Sequence, residues 1–308
     1  MADPQQGTAR SKEGNMLVKT ARVRGRTAHN GAATALSAET PKLVAWSVKL
    51  VAIATSSRVL RPASVVVALA VWEAAARWFH LGLFLAPPTI IIGDLWDWIS
   101  TGKIWPDLST SLIEIAIAFP LAMVLGILLG LMVGFNQILR DLLEPTFTAL
   151  YSTPLLALTP LFIVWLGIGI ESKIALMLCV AVFPVIINTS VGVRQVQPDL
   201  IAVVQAFGGS KLDIIRYVRL PSAVPYITAS AQIAVSRVIV AVFVAELFGA
   251  RAGLGVSIQR AASQFDVPRM WSGIVVLATL GILGVGLVGR LEHALTSWQG
   301  QEKDRTHV

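Results

Sequence analysis

The residues that could do chemistry in this sequence are few, and their spacing fits no familiar catalytic site. The four histidines are dispersed without the spacing of metal ligands: His29, His80, His293 and His307. Residues 284–289 read G-x-G-x-x-G, but they lie within an apolar run without the strand and helix start that a dinucleotide site requires. No G-x-x-x-x-G-K-[ST] motif occurs, so the chain lacks the phosphate loop that would cradle ATP.

Three ionisable residues stand out because apolar sequence surrounds or follows them. Arg237 and Glu246 lie in one apolar run, and Glu114 begins another. Charges inside membrane helices are costly, which makes each a functional candidate by default. At about 100° per residue, Arg237 and Glu246 fall near opposite helix faces and are not expected to pair with each other.

The elements around these residues are strongly apolar. The 308 residues are 55% hydrophobic and 14% charged, against about 25% charged in a typical soluble domain. A helix needs about 20 apolar residues to cross a bilayer core. Six runs reach roughly that length and predict six membrane spans: 62–79, 115–135, 145–170, 174–193, 220–245 and 270–289. Buried helices of a large soluble protein are disfavoured, because the charged amphipathic helices that usually separate them are missing after residue 60.

The net charge of +7 follows the membrane pattern rather than that of a nucleic-acid binder. Both termini and alternate loops hold 18 Lys and Arg residues, and the opposite loops hold 5. Cytoplasmic loops collect these residues, so both termini are expected in the cytoplasm. The outlier is the loop 249–270, whose Arg251, Arg260 and Arg269 fall outside in this scheme.

Three regions are expected along the chain. Residues 1–60 form a basic tail with a short interfacial helix at 43–58, residues 61–295 the membrane domain, and residues 296–308 a cytoplasmic tail. A signal peptide is disfavoured because Lys49 splits the apolar stretch, and an organellar transit peptide stays open. The lone cysteine, Cys179, is interpreted as a small core residue.

Small residues and prolines shape two of the spans. Gly126, Gly130 and Gly134 form one helix face and predict close helix packing, either within one subunit or between subunits. Pro145, Pro154 and Pro160 interrupt the run 145–170 and predict a bent element that lines a pathway. In the first span, Glu73 and Arg77 share a face and are expected to pair.

The polar segment 198–221 between two spans predicts a helix, a break, a second helix and a stop. Pro198 starts the first helix, and Gly208-Gly209 ends it. Ser210 and Asp213 form an S-x-x-D capping pattern for the second. Leu212 and Ile215 share one face of the second helix. This apolar face, edged by the basic residues Lys211, Arg216 and Arg219, would suit insertion into a groove on a partner.

At these residues the chain resembles the permease subunits of ABC importers. Their loop signature is EAA, three residues, Gly, nine residues, Ile, one residue, Leu-Pro. Gly208, Val218 and Leu220-Pro221 keep this spacing, whereas Ala202-Val203-Val204 stands where the signature has Glu-Ala-Ala. The missing acidic residue removes one expected salt bridge to the ATPase.

The resemblance covers about residues 60–295 and narrows to the permeases for nitrate, sulfonates, taurine and bicarbonate. The stretches that support it are 72–77, 86–89, 154–169, 183–189, 193–196, 245–247 and 253–255. Glu114 departs from similar proteins, which often have arginine there. If it faces the pathway, this reversal of charge would alter anion preference.

The resemblance implies an all-α membrane protein with the type I ABC-importer permease fold and a cytoplasmic coupling helix. It also implies a homodimer in the bacterial inner membrane, two copies of an ATP-binding subunit that hold the ATP and Mg, and a periplasmic or lipid-anchored substrate-binding protein. No cofactor, metal or catalytic residue is expected on this chain, and no nucleic acid. The expected cargo is a small oxyanion, with a neutral heterocycle as the alternative. A secondary transporter driven by ions and an intramembrane enzyme are disfavoured.

Two sets of site residues follow from this interpretation. Contact with the ATPase is expected at Gly208, Gly209, Ser210, Lys211, Leu212, Asp213, Arg216, Leu220 and Pro221. The pathway candidates are Arg237, Glu246, Glu114, Pro154 and Pro160. Arg237 is expected to favour an oxyanion and Glu246 to fix an outer gate; pairing of each with a neighbouring helix is the alternative.

Overall fold

The computed structural model describes residues 57–79 and 84–295. The expected basic tail, almost all of the interfacial helix at 43–58 and the C-terminal tail lie outside these residues. The chain divides into two units, 1–71 and 72–308. Every regular element in the described ranges is helical.

Eleven α-helices are described. They are α1 (Ser57–Trp78), α2 (Pro88–Ser100), α3 (Trp105–Phe135), α4 (Gln137–Ser152), α5 (Thr159–Leu166), α6 (Ile170–Arg194), α7 (Pro198–Ala206), α8 (Lys211–Ile214), α9 (Leu220–Gly249), α10 (Leu254–Ser263) and α11 (Val267–Leu295). A 3₁₀ turn, Leu155–Leu158, precedes α5, and a π turn, Ile215–Arg219, joins α8 to α9.

Four helical stretches of the described residues are long and apolar enough to cross a membrane: Trp105–Phe135, Ile170–Arg194, Lys211–Phe248 and Val267–Glu292. A fifth candidate is the pair Gln137–Ser152 and Leu155–Leu166, which meet at 79°. The bend confirms the broken element that the prolines predict, since Pro154 lies at the break and Pro160 in the first turn of α5. The sixth predicted span, 62–79, falls on α1 and stays a prediction.

Helix α6 forms the centre of the second unit, with α3 against one side and α9 against another. Its side chains Leu176, Met177 and Val185 are fully buried in the main apolar core. Apolar side chains of α3 and α11 are by contrast exposed along much of their length. Such exposure suits lipid or another membrane subunit better than water.

The glycine row of α3 lies against α6 of the same chain. A Cβ atom at Gly126 would stand 2.6 Å from Cβ of Val185, and one at Gly130 would stand 2.6 Å from Cβ of Thr189. These distances leave no room for a side chain. The small residues therefore serve packing within the subunit, which decides between the two alternatives that the sequence left open.

The first and second helices of the membrane domain are joined by polar contacts. Nε of Arg77 lies 2.6 Å from the Glu73 carboxylate, which confirms the predicted pair. Glu73 also accepts hydrogen bonds from the backbone N–H and hydroxyl of Thr89 at the start of α2. Residues 72–77 and 86–89, two of the stretches that carry the family resemblance, thus meet in space.

Candidate functional site

The segment 198–221, called here the two-helix segment, has the predicted break between its helices. Gly208 ends α7 with a φ of +77°, in the left-handed region that glycine favours. The N–H of Gly209 reaches back to the carbonyl of Val204 at 2.9 Å, as in a Schellman ending. The turn therefore follows from local sequence alone.

The second helix starts with the predicted capping box. The Ser210 hydroxyl accepts from the N–H of Asp213 at 3.3 Å, and the Asp213 carboxylate accepts from the N–H of Ser210 at 2.8 Å. These bonds satisfy two helix-start donors reciprocally. The turn and the capping box thus bring most of the predicted contact residues together in one short stretch: Gly208, Gly209, Ser210, Lys211, Leu212, Asp213 and Arg216.

The predicted stop at Pro221 is wrong. Helix continues from Lys211 to Phe248 without a break, and Leu220 and Pro221 begin α9. The π turn at 215–219 is the physical reason, because the N–H of Leu220 bonds the carbonyl of Ile215, five residues back. This shift of register places Pro221, which has no N–H, in a new first turn where none is needed.

The two-helix segment exposes three large side chains, and this set is called here the exposed ridge. Phe207, Leu212 and Tyr217 are 89%, 71% and 64% exposed, whereas Ile214 and Val218 are buried against the body of the chain. The guanidinium of Arg216 lies 5.6 Å from the centre of the Tyr217 ring. Leu212 and Ile215 are three residues apart on the helix, but Leu212 is exposed whereas Ile215 is partly buried.

Arg237 lies beside the bent element. It is exposed on α9, with its guanidinium 5.8 Å from the centre of the Tyr151 ring. Both line a cavity of about 180 Å³, together with Pro154 and the 3₁₀ turn after it. In the described ranges no carboxylate lies within 4.0 Å of this guanidinium, so its charge is available to a ligand.

Glu246 lies at the other end of α9 in a group of polar contacts, called here the clasp. Its carboxylate, 1% exposed, accepts from the hydroxyl of Ser111 and from the N–H of Gly255, both at 2.6 Å. Ser111 in turn accepts from the N–H of Leu254 at 3.0 Å, and Asp107 accepts from the N–H of Gly253 at 3.0 Å. The clasp thus joins α3, α9 and the start of α10.

Glu114 lies one turn beyond Ser111 on the same face of α3. Its carboxylate is 1% exposed and pairs with the ammonium group of Lys173 in the first turn of α6. This placement puts Glu114 inside the helix bundle. Lys173 is one of the five cations in the opposite loops, and its pairing with Glu114 is not predicted from the sequence. The available signal is an acidic and a basic residue, each at the start of an apolar run.

Arg269 also has an acidic partner. The guanidinium of Arg269 lies 3.0 Å from the Asp94 carboxylate and 4.8 Å from the centre of the Trp98 ring. Two of the five cations in the opposite loops, Lys173 and Arg269, are thus paired with carboxylates.

These geometries agree with the comparison to known proteins. Residues 122–297 match the family described as binding-protein-dependent transport system inner membrane component. The chain belongs to this family. It is an inner membrane permease component of an ABC importer, a transport subunit and not an enzyme.

Curated relatives extend this membership over most of the permease. This chain is 31% identical to the putative aliphatic sulfonates transport permease protein of Bacillus subtilis, over 76% of this chain and 85% of that one. The taurine transport system permease protein of Escherichia coli is 31% identical, over 75% and 86%. The formylaminopyrimidine transport permease protein of Halalkalibacterium halodurans is 30% identical, over 76% and 93%.

A solved relative confirms the fold. The inward-facing methionine ABC transporter MetNI matches with a TM-score of 0.54 at 20% identity, over 65% of this permease and 97% of that chain. The all-helical, type I importer fold expected from the sequence is therefore confirmed.

Proposed function

We propose that this permease forms the translocation pathway of an ATP-driven importer and receives the motion of a separate ATP-binding subunit through the two-helix segment. The observation that carries the proposal is the exposed ridge of Phe207, Leu212 and Tyr217 on a hydrogen-bonded turn between two spans. Large exposed side chains at a fixed position typify the anchors of protein interfaces. Membership of a binding-protein-dependent family supports the same partner set.

The assembly proposed here holds two copies of this chain, two ATP-binding subunits and one substrate-binding protein. ATP and Mg lie on the ATP-binding subunits. Both termini of this chain face the cytoplasm, because the termini and alternate loops hold 18 Lys and Arg residues and cytoplasmic loops collect these residues. Closure of the ATP-binding subunits moves the two-helix segment and turns the spans outward. Substrate released by the binding protein then enters the pathway.

The proposed cargo is a small oxyanion such as an aliphatic sulfonate, taurine, nitrate or bicarbonate. Arg237 supports this choice, because an exposed guanidinium beside a cavity at the bend can bind a planar or tetrahedral anion through paired N–H donors. Relatives named for sulfonate and taurine transport agree with it. The relatives named for formylaminopyrimidine and riboflavin keep a neutral heterocycle as the alternative, which the Tyr151 ring would suit.

Coupling is tested by co-purification in detergent with a coexpressed ATP-binding subunit. Phe207→Ser should reduce the retained subunit about ten-fold, since it removes an exposed anchor. Phe265→Ser is the matched control, because Phe265 is also an exposed phenylalanine, at 81%, but follows α10 beyond the far end of α9. Equal retention by the two variants would contradict the proposal.

The cargo is tested first on the substrate-binding protein. Its thermal unfolding should shift upward with sulfonates, taurine, nitrate or bicarbonate, and not with neutral pyrimidines. In vesicles that contain the complete importer, Arg237→Ala should then lower uptake of the bound anion at least ten-fold, while Arg237→Lys keeps part of it. Unchanged uptake in Arg237→Ala would remove this residue from the pathway.

A further inference from the structure

The clasp attaches the short helix α10 to two long helices at once. Three successive backbone N–H groups, at Gly253, Leu254 and Gly255, are each accepted by a different side chain: Asp107, Ser111 and Glu246. A helix start normally leaves such donors to water or to a local cap. Here two of the acceptors come from α3 and one from α9.

Ser111 makes the three contacts one unit. Its hydroxyl accepts from Leu254 and donates to Glu246, so α3 and α9 are connected through the same atom that binds α10. Asp107 adds a second bond to α10, from the hydroxyl of Ser257. Buried networks of this kind are rigid when every member is satisfied, because breaking one bond leaves a polar group without a partner.

Steric contact fixes the same loop against α9. At Gly253, whose φ is +134°, a Cβ atom would stand 2.6 Å from a carboxylate oxygen of Glu246. At Gly255 it would stand 2.8 Å from the backbone carbonyl of Phe243. The chain can lie this close to α9 only without side chains, so the loop has no freedom to slide along it.

We infer that Asp107, Ser111 and Glu246 are positioning residues that make α10 move as one body with α3 and α9 during transport. They act by holding α10 through the three backbone N–H groups at its start. The inference rests on the proposed function, because it concerns the motion that closure of the ATP-binding subunits would cause. It replaces a gate role for Glu246 alone with a joint role of three side chains.

The test measures one distance in two states of the complex. Ser109 on α3 and Gln259 on α10 are exposed and make none of the clasp contacts, so spin labels can be placed there. The variant Ser109→Cys/Gln259→Cys is made with Cys179→Ala, which removes the native cysteine. The complex with the ATP-binding subunit is then compared without nucleotide and after trapping with ATP and vanadate.

The distance between the labels should be the same in both states. A change of about 5 Å, one helical turn, would overturn the inference, because α10 would then move separately from α3. Adding Glu246→Gln should broaden the distance distribution, since Ser111 and Gly255 bond different oxygens of the carboxylate and glutamine has an NH₂ donor in place of one of them. Glu171→Gln, an exposed carboxylate in the first turn of α6, is the matched control and should leave the distribution unchanged.

Activity separates positioning from general stability. In the complex, Glu246→Gln should keep basal ATP hydrolysis within about two-fold and lose its stimulation by the binding protein, whereas a merely unstable variant would lose both. Ser111→Thr, which keeps the hydroxyl, should preserve more of the stimulation than Ser111→Ala. If no ATP-binding subunit associates, the proposed function fails; the broadening by Glu246→Gln still tests the clasp in the permease alone.

Discussion

The two ends of α9 satisfy their polar and apolar groups in opposite ways. At the end near Glu246, three long-range hydrogen bonds close the clasp within the chain. At the end near Leu220, hydrogen bonds of the two-helix segment are local, and the ridge of Phe207, Leu212 and Tyr217 stays exposed. One end is complete in a single subunit, and the other presents a surface that another protein can cover.

This difference predicts where substitutions affect folding and where they affect assembly. A buried group at the clasp end has a defined partner inside the chain, so its loss destabilises the fold. An exposed group on the two-helix segment loses little by substitution unless a partner subunit is bound. Thermal unfolding of the permease alone should therefore respond strongly to substitutions at one end of α9 and weakly to those at the other.

The largest effect is expected for a lysine at the clasp end. Lys173→Met leaves the buried carboxylate of Glu114 without its ammonium partner, which should cost about 4 kcal/mol and lower the melting temperature by about 10 °C in detergent. Lys211→Met, at an exposed lysine of the two-helix segment, should not change the melting temperature.

The double variant Lys173→Met/Glu114→Gln separates the charge from the packing. Because it removes both ionised groups, it should recover most of the lost stability. If Lys173→Met unfolds at the wild-type temperature, the pair does not contribute to the fold, and the contrast between the two ends fails at this position.

A pair of glycines gives the next largest effect. Gly253→Ala should cost about 3 kcal/mol, because the new Cβ would meet the Glu246 carboxylate at a φ of +134°. Gly208→Ala should cost about 1 kcal/mol, since its φ of +77° is also unfavourable but nothing lies within 4 Å of the new atom.

Thermal unfolding of both alanine variants in one detergent checks this order. Both glycines have positive φ, but Gly253 at φ +134° and ψ +160° lies in a region that essentially only glycine adopts, so its larger loss combines backbone strain with steric contact. Equal losses would mean that the loop at 253–255 can move away from α9, which would also contradict the rigid clasp.

Local chemistry explains what the sequence could predict. The break at Gly208 and the capping box of Ser210 and Asp213 depend on neighbours within a few residues, and both are confirmed. The bend at Pro154 is also confirmed, and it was predictable because proline restricts its own backbone conformation. The π turn at 215–219 has no comparable sequence signal, which is why the predicted stop at Pro221 is wrong.

Long-range contacts explain what the sequence could not predict. Helical spacing correctly excludes a pair between Arg237 and Glu246, but it contains no information on Ser111, which lies 135 residues from Glu246 along the chain. The partner of Glu114 was missed for the same reason, since Lys173 lies on another helix. The roles of Arg237 and of the two-helix segment in transport stay predictions, because they concern molecules outside this chain.

The smallest expected effect refines the comparison at the exposed end. Ser210→Ala removes the hydroxyl that accepts from Asp213, a cap worth about 1 kcal/mol. Because the helix beyond it is continuous to Phe248, only its first turn should open. Hydrogen exchange of the amides at 211–214 should then become about five-fold faster, with the melting temperature unchanged.

Ser263→Ala is the matched control for this cap. Its hydroxyl only donates to the carbonyl of Gln259 at the end of α10, so its loss leaves no helix-start donor unsatisfied. If Ser210→Ala exchanges like the wild type, water replaces the cap and the turn is not held by its side chains. If the melting temperature falls as well, the two-helix segment contributes to the fold of the whole chain, and the two ends of α9 differ less than their contacts indicate.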